Sequence, residues 1–354
     1  MATVIEQTNE KTNNDVQEYY GKVLGSQQDL KTSACCSMES VPMHHREILG
    51  QIEDEILARF YGCGSPIPEA LEGTTVLDLG CGTGRDVYLL SKLVGPSGRV
   101  IGVDMTAEQL AVARKYESQQ MATFGFEKSN VDFREGYIED LAGAGIADAS
   151  VDVVVSNCVL NLSPDKPKVF REIFRVLKPG GELYFSDVFA DRRLDPRLMN
   201  DPVLLGECLS GAMYLEDFRR LLQGLGCKDH RVVGRSPIAI EDAEVDAKIG
   251  MAKFESVTVR AFKLDSMEDC CEDYGQVATY KGTVNHAPHR FALDDHHVLE
   301  TGRPMLVCGN TAAMLSETRY APHFEVTGDR SRHFGVFGCG EGDGNVGDDD
   351  GGCC

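Results

Sequence analysis

The chain has 354 residues, of which 42% are hydrophobic, and a formal net charge of −21. This length suits one large domain or one domain with a smaller one, and the apolar content is enough to build a core. The negative charge argues against binding to nucleic acid or to an anionic membrane surface, because both attract clustered Lys and Arg. No apolar run of about 18 residues and no signal-peptide pattern is present, so a cytoplasmic protein without a membrane span is expected.

Thirteen cysteines are the most unusual feature of the composition. Their odd number, the chain length and the lack of a signal segment argue against a secreted disulfide scaffold, so cytoplasmic thiols are expected. No Cys-x-x-Cys motif occurs, which argues against a structural zinc site. Some cysteines are therefore expected to carry chemistry, and others to fill the core as small apolar residues.

The N-terminal part is polar at first and then helical in pattern. Residues 1–14 are rich in Glu, Gln, Thr, Asn and Lys and are predicted to be disordered. Further along, apolar residues at helical spacing predict one helix over 47–60. These apolar residues are Ile48, Ile52, Ile56 and Phe60. The segment 61–64, with the sequence YGCG, follows this helix.

The most informative stretch is 75–86, TVLDLGCGTGRD, in which a short apolar strand turns into a helix. The three glycines of the turn are Gly80, Gly82 and Gly84. They permit positive φ angles and leave no Cβ between the chain and a ligand. The dinucleotide fingerprint G-x-G-x-x-G/A requires a small residue where this chain has Arg85. Asp78, just before the turn, would repel a pyrophosphate but attract an ammonium group.

A second acidic residue narrows the choice of ligand. Asp104 follows a second predicted strand, 99–103, about 20 residues beyond the turn, where a carboxylate can accept hydrogen bonds from both hydroxyls of a ribose. An adenosine that carries an amino acid describes S-adenosylmethionine. A purely structural interpretation of the turn leaves the second acid unexplained, so S-adenosylmethionine is the expected cofactor.

Strands and helices continue to alternate after Asp104. Thr106 and Gln109 fit a capping box for the next helix. The later predicted elements are strands at 131–133, 151–155 and 182–187, a helix ending at 177, a helix at 215–225, and strands near 231–233 and 256–262. This alternation predicts an α/β fold with a doubly wound parallel sheet.

Several candidate residues follow the ends of the first four strands. Ligands of such sheets bind outside the carboxyl ends of the strands, so these residues are expected to line one rim. The expected cofactor-binding residues are Asp78, Gly80, Gly82, Gly84, Asp104, Met105, Ile138, Glu139 and Asn157.

Three further segments carry a specific resemblance. The segments YGCG at 61–64, SNCVLNL at 156–162 and GECLSGA at 206–212, around the cofactor turn, resemble arsenite S-adenosylmethionine methyltransferases. The resemblance runs from about residue 15 to 264 and more loosely through the tail. It implies a Rossmann-like class I methyltransferase sheet with an N-terminal helical cap and a small C-terminal domain.

The resemblance also implies roles for four cysteines. Cys63, Cys158 and Cys208 are expected to hold trivalent arsenic, and Cys35 to form a disulfide with Cys63 during turnover. Cys36, the neighbour of Cys35, could take its place. Asn157 is expected to polarise or position the cofactor.

The expected division of the chain has four parts. They are an N-terminal segment with arsenic-site cysteines (1–70), the S-adenosylmethionine-binding domain (71–190), an arsenic-binding region that completes the sheet (191–264), and a C-terminal domain with a flexible Gly/Asp/Cys tail (265–354).

The chemistry of arsenic agrees with three cysteine ligands. Arsenite is a soft, trigonal centre, and soft thiolates match it. A lone pair on the thiolate-bound arsenic needs no general base for its attack, and residues 75–215 contain no His. The expected reaction is methylation of arsenite and then of methylarsenite, for detoxification, with thioredoxin or glutathione as the reductant.

Two other functions remain open from the sequence. One is a methyltransferase for a small organic molecule such as a quinone or sterol, and the other is a non-enzymatic, thiol-rich arsenic or metal buffer. Cys81 and Cys227 are expected to be structural. The pairs Cys270–Cys271 and Cys353–Cys354 are interpreted either as arsenic relays or as exposed spectator thiols.

Overall fold

A computed structural model of the protein describes residues 12–13, 16–17, 41–60, 62 and 64–338. Within these residues the α-helices are α1 (Met43–Leu49), α2 (Asp54–Ala58), α3 (Arg85–Val94), α4 (Ala107–Lys115), α5 (Glu117–Phe124), α6 (Lys166–Val176), α7 (Pro202–Gly206), α8 (Leu215–Gly224), α9 (Ala243–Ile249) and α10 (Gly309–Ser316). Short 3-10 helices cover Leu160–Leu162, Pro196–Asn200 and Ala321–His323. None of the helices in the described ranges is long and apolar enough to cross a membrane.

The strands alternate with these helices in the first two thirds of the chain. They are β1 (Thr75–Leu79), β2 (Arg99–Asp104), β3 (Val131–Glu135), β4 (Val151–Asn157), β5 (Leu177–Ala190), β6 (Met213–Tyr214), β7 (His230–Ile238), β8 (Phe254–Phe262), β9 (Glu272–Asp273), β10 (Gln276–Tyr280), β11 (Arg290–Ala292), β12 (Val298–Glu300), β13 (Pro304–Val307), β14 (Phe324–Thr327) and β15 (Gly335–Val336).

One large sheet forms the centre of the molecule. Its strand order is β3-β2-β1-β4-β5-β8-β7, and β6 pairs with the end of β5. The strands from β3 to β5 run parallel, whereas β8 is antiparallel to β5 and to β7. The predicted α/β fold is therefore confirmed. Because β1, β2 and β4 are parallel neighbours, the residues that follow them meet at one edge of the sheet.

Helix α6 shows how the sheet is covered. Its N-terminus is capped by Asp165, whose side chain accepts from the backbone N–H of Lys168. Its apolar face buries Phe170, whose ring lies 6.2 Å from that of Phe185 on β5. The helix ends at Val176, one residue before the predicted end.

The prediction of a single helix over 47–60 is wrong. Helix α1 ends at Leu49, with Gly50 as its C-cap, and α2 begins only at Asp54. Ile48, Ile52 and Ile56 are nevertheless all buried. The apolar face continues across the break, so the spacing of these residues cannot reveal it.

The predicted capping box at α4 is also wrong. Thr106 occupies the N-cap position, but its side chain makes no capping hydrogen bond. Instead both its backbone N–H and its hydroxyl bond to the carboxylate of Asp104. The backbone N–H of Thr106, which the capping box assigned to the Gln109 side chain, is therefore bound by Asp104 instead.

The region after residue 264 is more regular than its sequence pattern indicates. It contains a three-stranded sheet, β13-β10-β14, two strand pairs and helix α10. The ring of Tyr320 lies 6.3 Å from Phe262 of the main sheet and 5.0 Å from Phe291. Cys271 is fully buried and Cys270 partly buried. The interpretation of Cys271 as an exposed thiol is therefore wrong.

A buried ion network joins this region to the main sheet. Glu182 on β5 is 0% exposed and accepts a hydrogen bond from Arg260 Nε at 2.6 Å. Arg319 Nη2 lies 2.5 Å from the other carboxylate oxygen. Tyr320 donates its hydroxyl to the same carboxylate at 3.2 Å. The two Arg side chains hold the pKa of Glu182 below its ordinary value despite its burial.

Candidate active site

A cavity lies at the carboxyl ends of β1, β2 and β4. All the predicted cofactor-binding residues except Asp78 and Gly84 line it: Gly80, Gly82, Asp104, Met105, Ile138, Glu139 and Asn157. Cys158 lines it as well. The expected rim of strand-end residues is thus present as one concave surface, in the place where sheets of this type hold ligands.

The glycine turn forms the floor of this cavity. Gly80 has a φ of +69°, and a Cβ at this position would overlap the side chain of Val159. Asp104 accepts from the backbone N–H of Gly82 at 2.8 Å and from that of Thr106 at 2.8 Å. Asp104 lines the cavity, so its carboxylate can face the hydroxyls of a ribose bound there. These donors and acceptors fit the adenosine part of S-adenosylmethionine.

Asp78 and Gly84 lie behind the cavity wall. Asp78 is 3% exposed, and its burial, together with the charges of Asp86 and Asp104, raises its pKa well above the ordinary value. Gly84 is the N-cap of α3, and a Cβ there would come within 2.9 Å of Phe133. Both residues support the turn in this structure, and their contact with a cofactor stays a prediction.

The side chain of Asn157 clamps the segment around position 63. Its Oδ1 accepts from the backbone N–H of Gly64 at 3.1 Å, and its Nδ2 donates to the Gly64 carbonyl at 2.9 Å. The same Nδ2 donates to Asp86 at 3.1 Å. Asn157 therefore connects the glycine-turn helix, the cavity and the residue that follows Cys63. This positioning role was not foreseen from the sequence.

Gly64 is the tightest point of this clamp. A Cβ on Gly64 would overlap Ser186 Oγ. We expect Gly64→Ala to lower kcat for methylation by about 100-fold, because a displacement of about 1 Å at a reacting group costs that much. The dissociation constant for S-adenosylmethionine, measured by calorimetry, should stay within about threefold of the wild-type value, since Gly64 does not line the cofactor cavity.

The matched control for this variant is Gly224→Ala. A Cβ at Gly224 meets nothing within 4 Å, so this variant should retain wild-type kcat. Equal kcat for Gly64→Ala and wild type would contradict the clamp.

Two of the predicted arsenic ligands converge. The sulfurs of Cys158 and Cys208 and a carboxylate oxygen of Asp187 all lie within 4.8 Å of one another. Cys208 Sγ donates to the carbonyl of Cys158 at 3.4 Å. Cys158 and Cys208 are 6% and 4% exposed, so the cluster is shielded from solvent. Cys63 and Cys35 lie outside the described residues, and their roles stay predictions.

The backbone of both cysteines is strained. Cys158 has a φ of 56° and Cys208 a φ of 59°, in the left-handed region that non-glycine residues rarely adopt. Cys158 directly follows β4, and Cys208 is the second residue after α7. Strain of this kind costs about 1–3 kcal/mol per residue and is concentrated at functional sites. Both side chains are thereby turned toward one point.

The structure records Cys158 in a disulfide. A sulfur in a disulfide cannot bind arsenic until it is reduced. Cys158 can therefore serve as an arsenic ligand only in its reduced form.

Asp187 was missed by the sequence analysis. Its carboxylate accepts from Asn161 Nδ2 at 2.7 Å and from the backbone N–H of Val188 at 2.8 Å. Burial raises the pKa of Asp187 to about 7, although hydrogen bonds from the backbone N–H groups of Val188 and Asn161 and the charge of Lys166 oppose the shift. Burial likewise lowers the pKa of Lys166 to about 8. Asp187 lies near the end of β5, so the strand-end argument applied to the first four strands would have found it.

Known families match two parts of the chain. Residues 70–226 match the family described as Methyltransferase domain. Residues 273–343 match the family described as Arsenite methyltransferase C-terminal domain. The second match covers the region whose sequence pattern was weakest.

Whole-chain relatives extend this result. An arsenite methyltransferase of Aquipseudomonas alcaligenes is 57% identical over 328 residues, which are 92% of this chain and 94% of that protein. The arsenite methyltransferase of Homo sapiens is 44% identical and covers 88% of this chain and 83% of the human one.

A solved structure agrees with these relatives. The crystal structure of CrArsM, an arsenic(III) S-adenosylmethionine methyltransferase from Chlamydomonas reinhardtii, aligns with a TM-score of 0.81 and 50% identity. The alignment covers 84% of this chain and all of CrArsM (100%). The resemblance predicted from the cysteine-containing segments is confirmed, and the chain belongs to the arsenite methyltransferase family.

Proposed function

We propose that the protein methylates trivalent arsenic while Cys63, Cys158 and Cys208 hold the arsenic as thiolates. As a member of its family, the protein is an S-adenosylmethionine-dependent methyltransferase of arsenite. The proposal concerns how its own residues hold the substrate. The observation that supports it most is that the Cys158 and Cys208 sulfurs lie within 4.8 Å of each other beside the cofactor cavity.

Loading of the site exchanges hydroxide for thiolate. Arsenite, As(OH)3, reacts with three thiols to give three As–S bonds and three molecules of water, with no change in oxidation state. Each thiol proton leaves with one hydroxyl group of arsenite. Thiolates match soft trivalent arsenic better than oxygen ligands do. The buried pair of cysteines favours this exchange, because the bound arsenic is withdrawn from competing water.

The chain then positions arsenic for attack. Bound S-adenosylmethionine supplies an electrophilic methyl group on a sulfonium. Cys158 is the residue that belongs both to the sulfur cluster and to the cavity wall. Asn157, its neighbour, holds the Gly64 backbone. In this proposal the contacts of Cys158 and Asn157 orient the arsenic lone pair toward the methyl group. Correct orientation of two reactants accounts for much of the rate enhancement of a bimolecular reaction.

Methyl transfer leaves arsenic oxidised, and thiols return it to the trivalent state. We assign this step to Cys35 with Cys63, and the external electrons to thioredoxin or glutathione. The disulfide at Cys158 must also be opened by a thiol before this sulfur can bind arsenic. A cytoplasmic location supplies such reductants. In this scheme residues 71–190 bind the cofactor and 191–264 supply Cys208.

The test is a time course of arsenic products from purified protein, S-adenosylmethionine and a dithiol, with arsenite or methylarsenite as the substrate. We expect Cys35→Ser to lose methylation of arsenite but to keep methylation of methylarsenite, because two thiolates suffice for an arsenic that already carries one methyl group. Equal loss of both activities would contradict the assignment of Cys35.

The alternatives give different results in the same preparation. A methyltransferase for a quinone or sterol would methylate a lipid extract and leave arsenite unchanged. An arsenic buffer would bind arsenite but give no heat with S-adenosylmethionine in a calorimeter.

A further inference from the structure

A second pair of cysteines lies in the C-terminal region, away from the residues discussed above. Cys271 directly precedes β9, and Cys308 directly precedes α10. Both are 0% exposed. The Cys271 thiol is hydrogen-bonded to the Cys308 sulfur. Two thiols from distant parts of the sequence are thus already in contact.

The surroundings of Cys308 favour a negatively charged sulfur. Its Sγ accepts from the backbone N–H of Thr311 at 3.5 Å, as the N-cap of α10, and lies 3.3 Å from the Thr311 hydroxyl. Arg231 Nη2 donates to it at 3.8 Å. A helix N-terminus and an adjacent Arg both stabilise a thiolate, although Arg231 also pairs with Asp229 and Asp294.

The pKa values of the two cysteines are shifted in opposite directions. The hydrogen bond from Cys271, together with Arg231 and Thr311, lowers the pKa of Cys308. The same hydrogen bond and burial raise the pKa of Cys271. Together with the contacts of Cys308 to Thr311 and Arg231, these directions make Cys308 the sulfur that reacts as a nucleophile.

We propose that Cys271 and Cys308 are a redox-active pair that closes to a disulfide when a peroxide oxidises Cys308. The proposal does not depend on how arsenic is bound. In the first step the Cys308 thiolate attacks one oxygen of hydrogen peroxide, the O–O bond breaks, and Cys308 becomes a sulfenic acid as hydroxide leaves. In the second step Cys271 sulfur attacks Cys308 sulfur, and water forms from the sulfenic hydroxyl and the thiol proton. Overall, two thiols and one peroxide give one disulfide and two waters.

The geometry favours a disulfide over a metal site. A metal site needs at least a third ligand. In the part of the chain that the structure describes, no His, Cys, Asp or Glu places a ligand atom close enough to both sulfurs to complete one. A disulfide needs no additional ligand and no room beyond the approach of two sulfurs already in contact.

Access to the buried pair requires local opening beside Cys271. The N–H of Phe337 donates to the Cys271 carbonyl at 2.7 Å. The β9–β15 pairing next to it has only two residues in each strand. Short pairs of this kind open locally at low free energy. Hydrogen peroxide is small and uncharged, so a brief opening is enough to admit it.

The experiment uses the full chain in its reduced, folded form. It is exposed to hydrogen peroxide, its remaining thiols are alkylated under denaturing conditions, and its peptides are mapped by mass spectrometry with and without reduction. We expect a cross-linked peptide that joins Cys271 to Cys308 and disappears on reduction. Cys227, whose Sγ lies 3.3 Å from the Asp229 carbonyl, should not be oxidised and should therefore be alkylated in full.

Three variants refine the test. Cys270→Ser, the matched control at the partly buried neighbour, should give the same cross-link. Cys308→Ser should lose it completely. Cys271→Ser should leave Cys308 as a sulfenic acid that reacts with dimedone. A cross-link through Cys270 in place of Cys271, or full alkylation of Cys308 after peroxide in the wild type, would overturn the proposal. The wild-type map decides the matter even where a variant fails to fold.

Discussion

Cys208→Ser is expected to abolish methylation of both arsenite and methylarsenite. A Ser hydroxyl is a hard donor that keeps its proton near neutral pH, so it cannot replace a soft thiolate on arsenic. Loss of a residue that only orients a metal ligand costs about 10–100-fold, so loss of a ligand itself should exceed about 100-fold. The measurement is product formation by arsenic speciation at saturating cofactor. Cys158→Ser should behave in the same way.

The matched control is Cys227→Ser. Cys227 is also a buried cysteine, 3% exposed, but it lies outside the sulfur cluster. Its hydrogen bond to the Asp229 carbonyl is one that a Ser hydroxyl can also make. This variant should keep most of the activity. Cofactor binding should survive in Cys208→Ser and Cys227→Ser, since neither residue lines the cofactor cavity. Wild-type activity in Cys208→Ser would show that arsenic is not held by this sulfur.

Glu182→Ala is expected to lower the free energy of unfolding by about 3–5 kcal/mol. The substitution leaves Arg260, which is 3% exposed, and Arg319, which is 11% exposed, without their shared carboxylate. Burial of an uncompensated charge is far more costly than loss of one contact. The measurement is urea unfolding followed by far-UV circular dichroism.

Glu300→Ala provides the control for this prediction. Glu300 also pairs with an Arg, at 3.0 Å, but 60% of its side chain is exposed. An exposed pair contributes about 0–1 kcal/mol, so this variant should unfold nearly as the wild type does. Similar stability for the two variants would mean that the Glu182 network does not hold the C-terminal region to the sheet.

The sequence predicted the features that depend on local residue patterns and on positions at the ends of strands. The glycine turn at Gly80 and the buried run of β4 gave the central sheet, because parallel strands leave a strong apolar signature. The strand-end rule then placed Asp104 and Asn157 on the same rim. The cysteine-containing segments identified the family, since three such segments around one cofactor turn are specific.

The remaining features depend on contacts between distant residues. The break after Gly50 is hidden because Ile48, Ile52 and Ile56 stay on one face. The C-terminal strands are two to five residues long, too short for a clear period. The clamp made by Asn157 and the contact of Cys271 with Cys308 arise only when separate segments fold together, and no spacing along the chain encodes them.

The left-handed backbone at Cys158 and Cys208 has a consequence for evolution in the laboratory. Glycine adopts such φ angles without strain, so replacement by glycine would relieve the backbone strain at both positions. The same replacements would remove the two sulfurs that we propose hold arsenic. A screen for more stable variants of the enzyme therefore needs a parallel assay for methylation of arsenite.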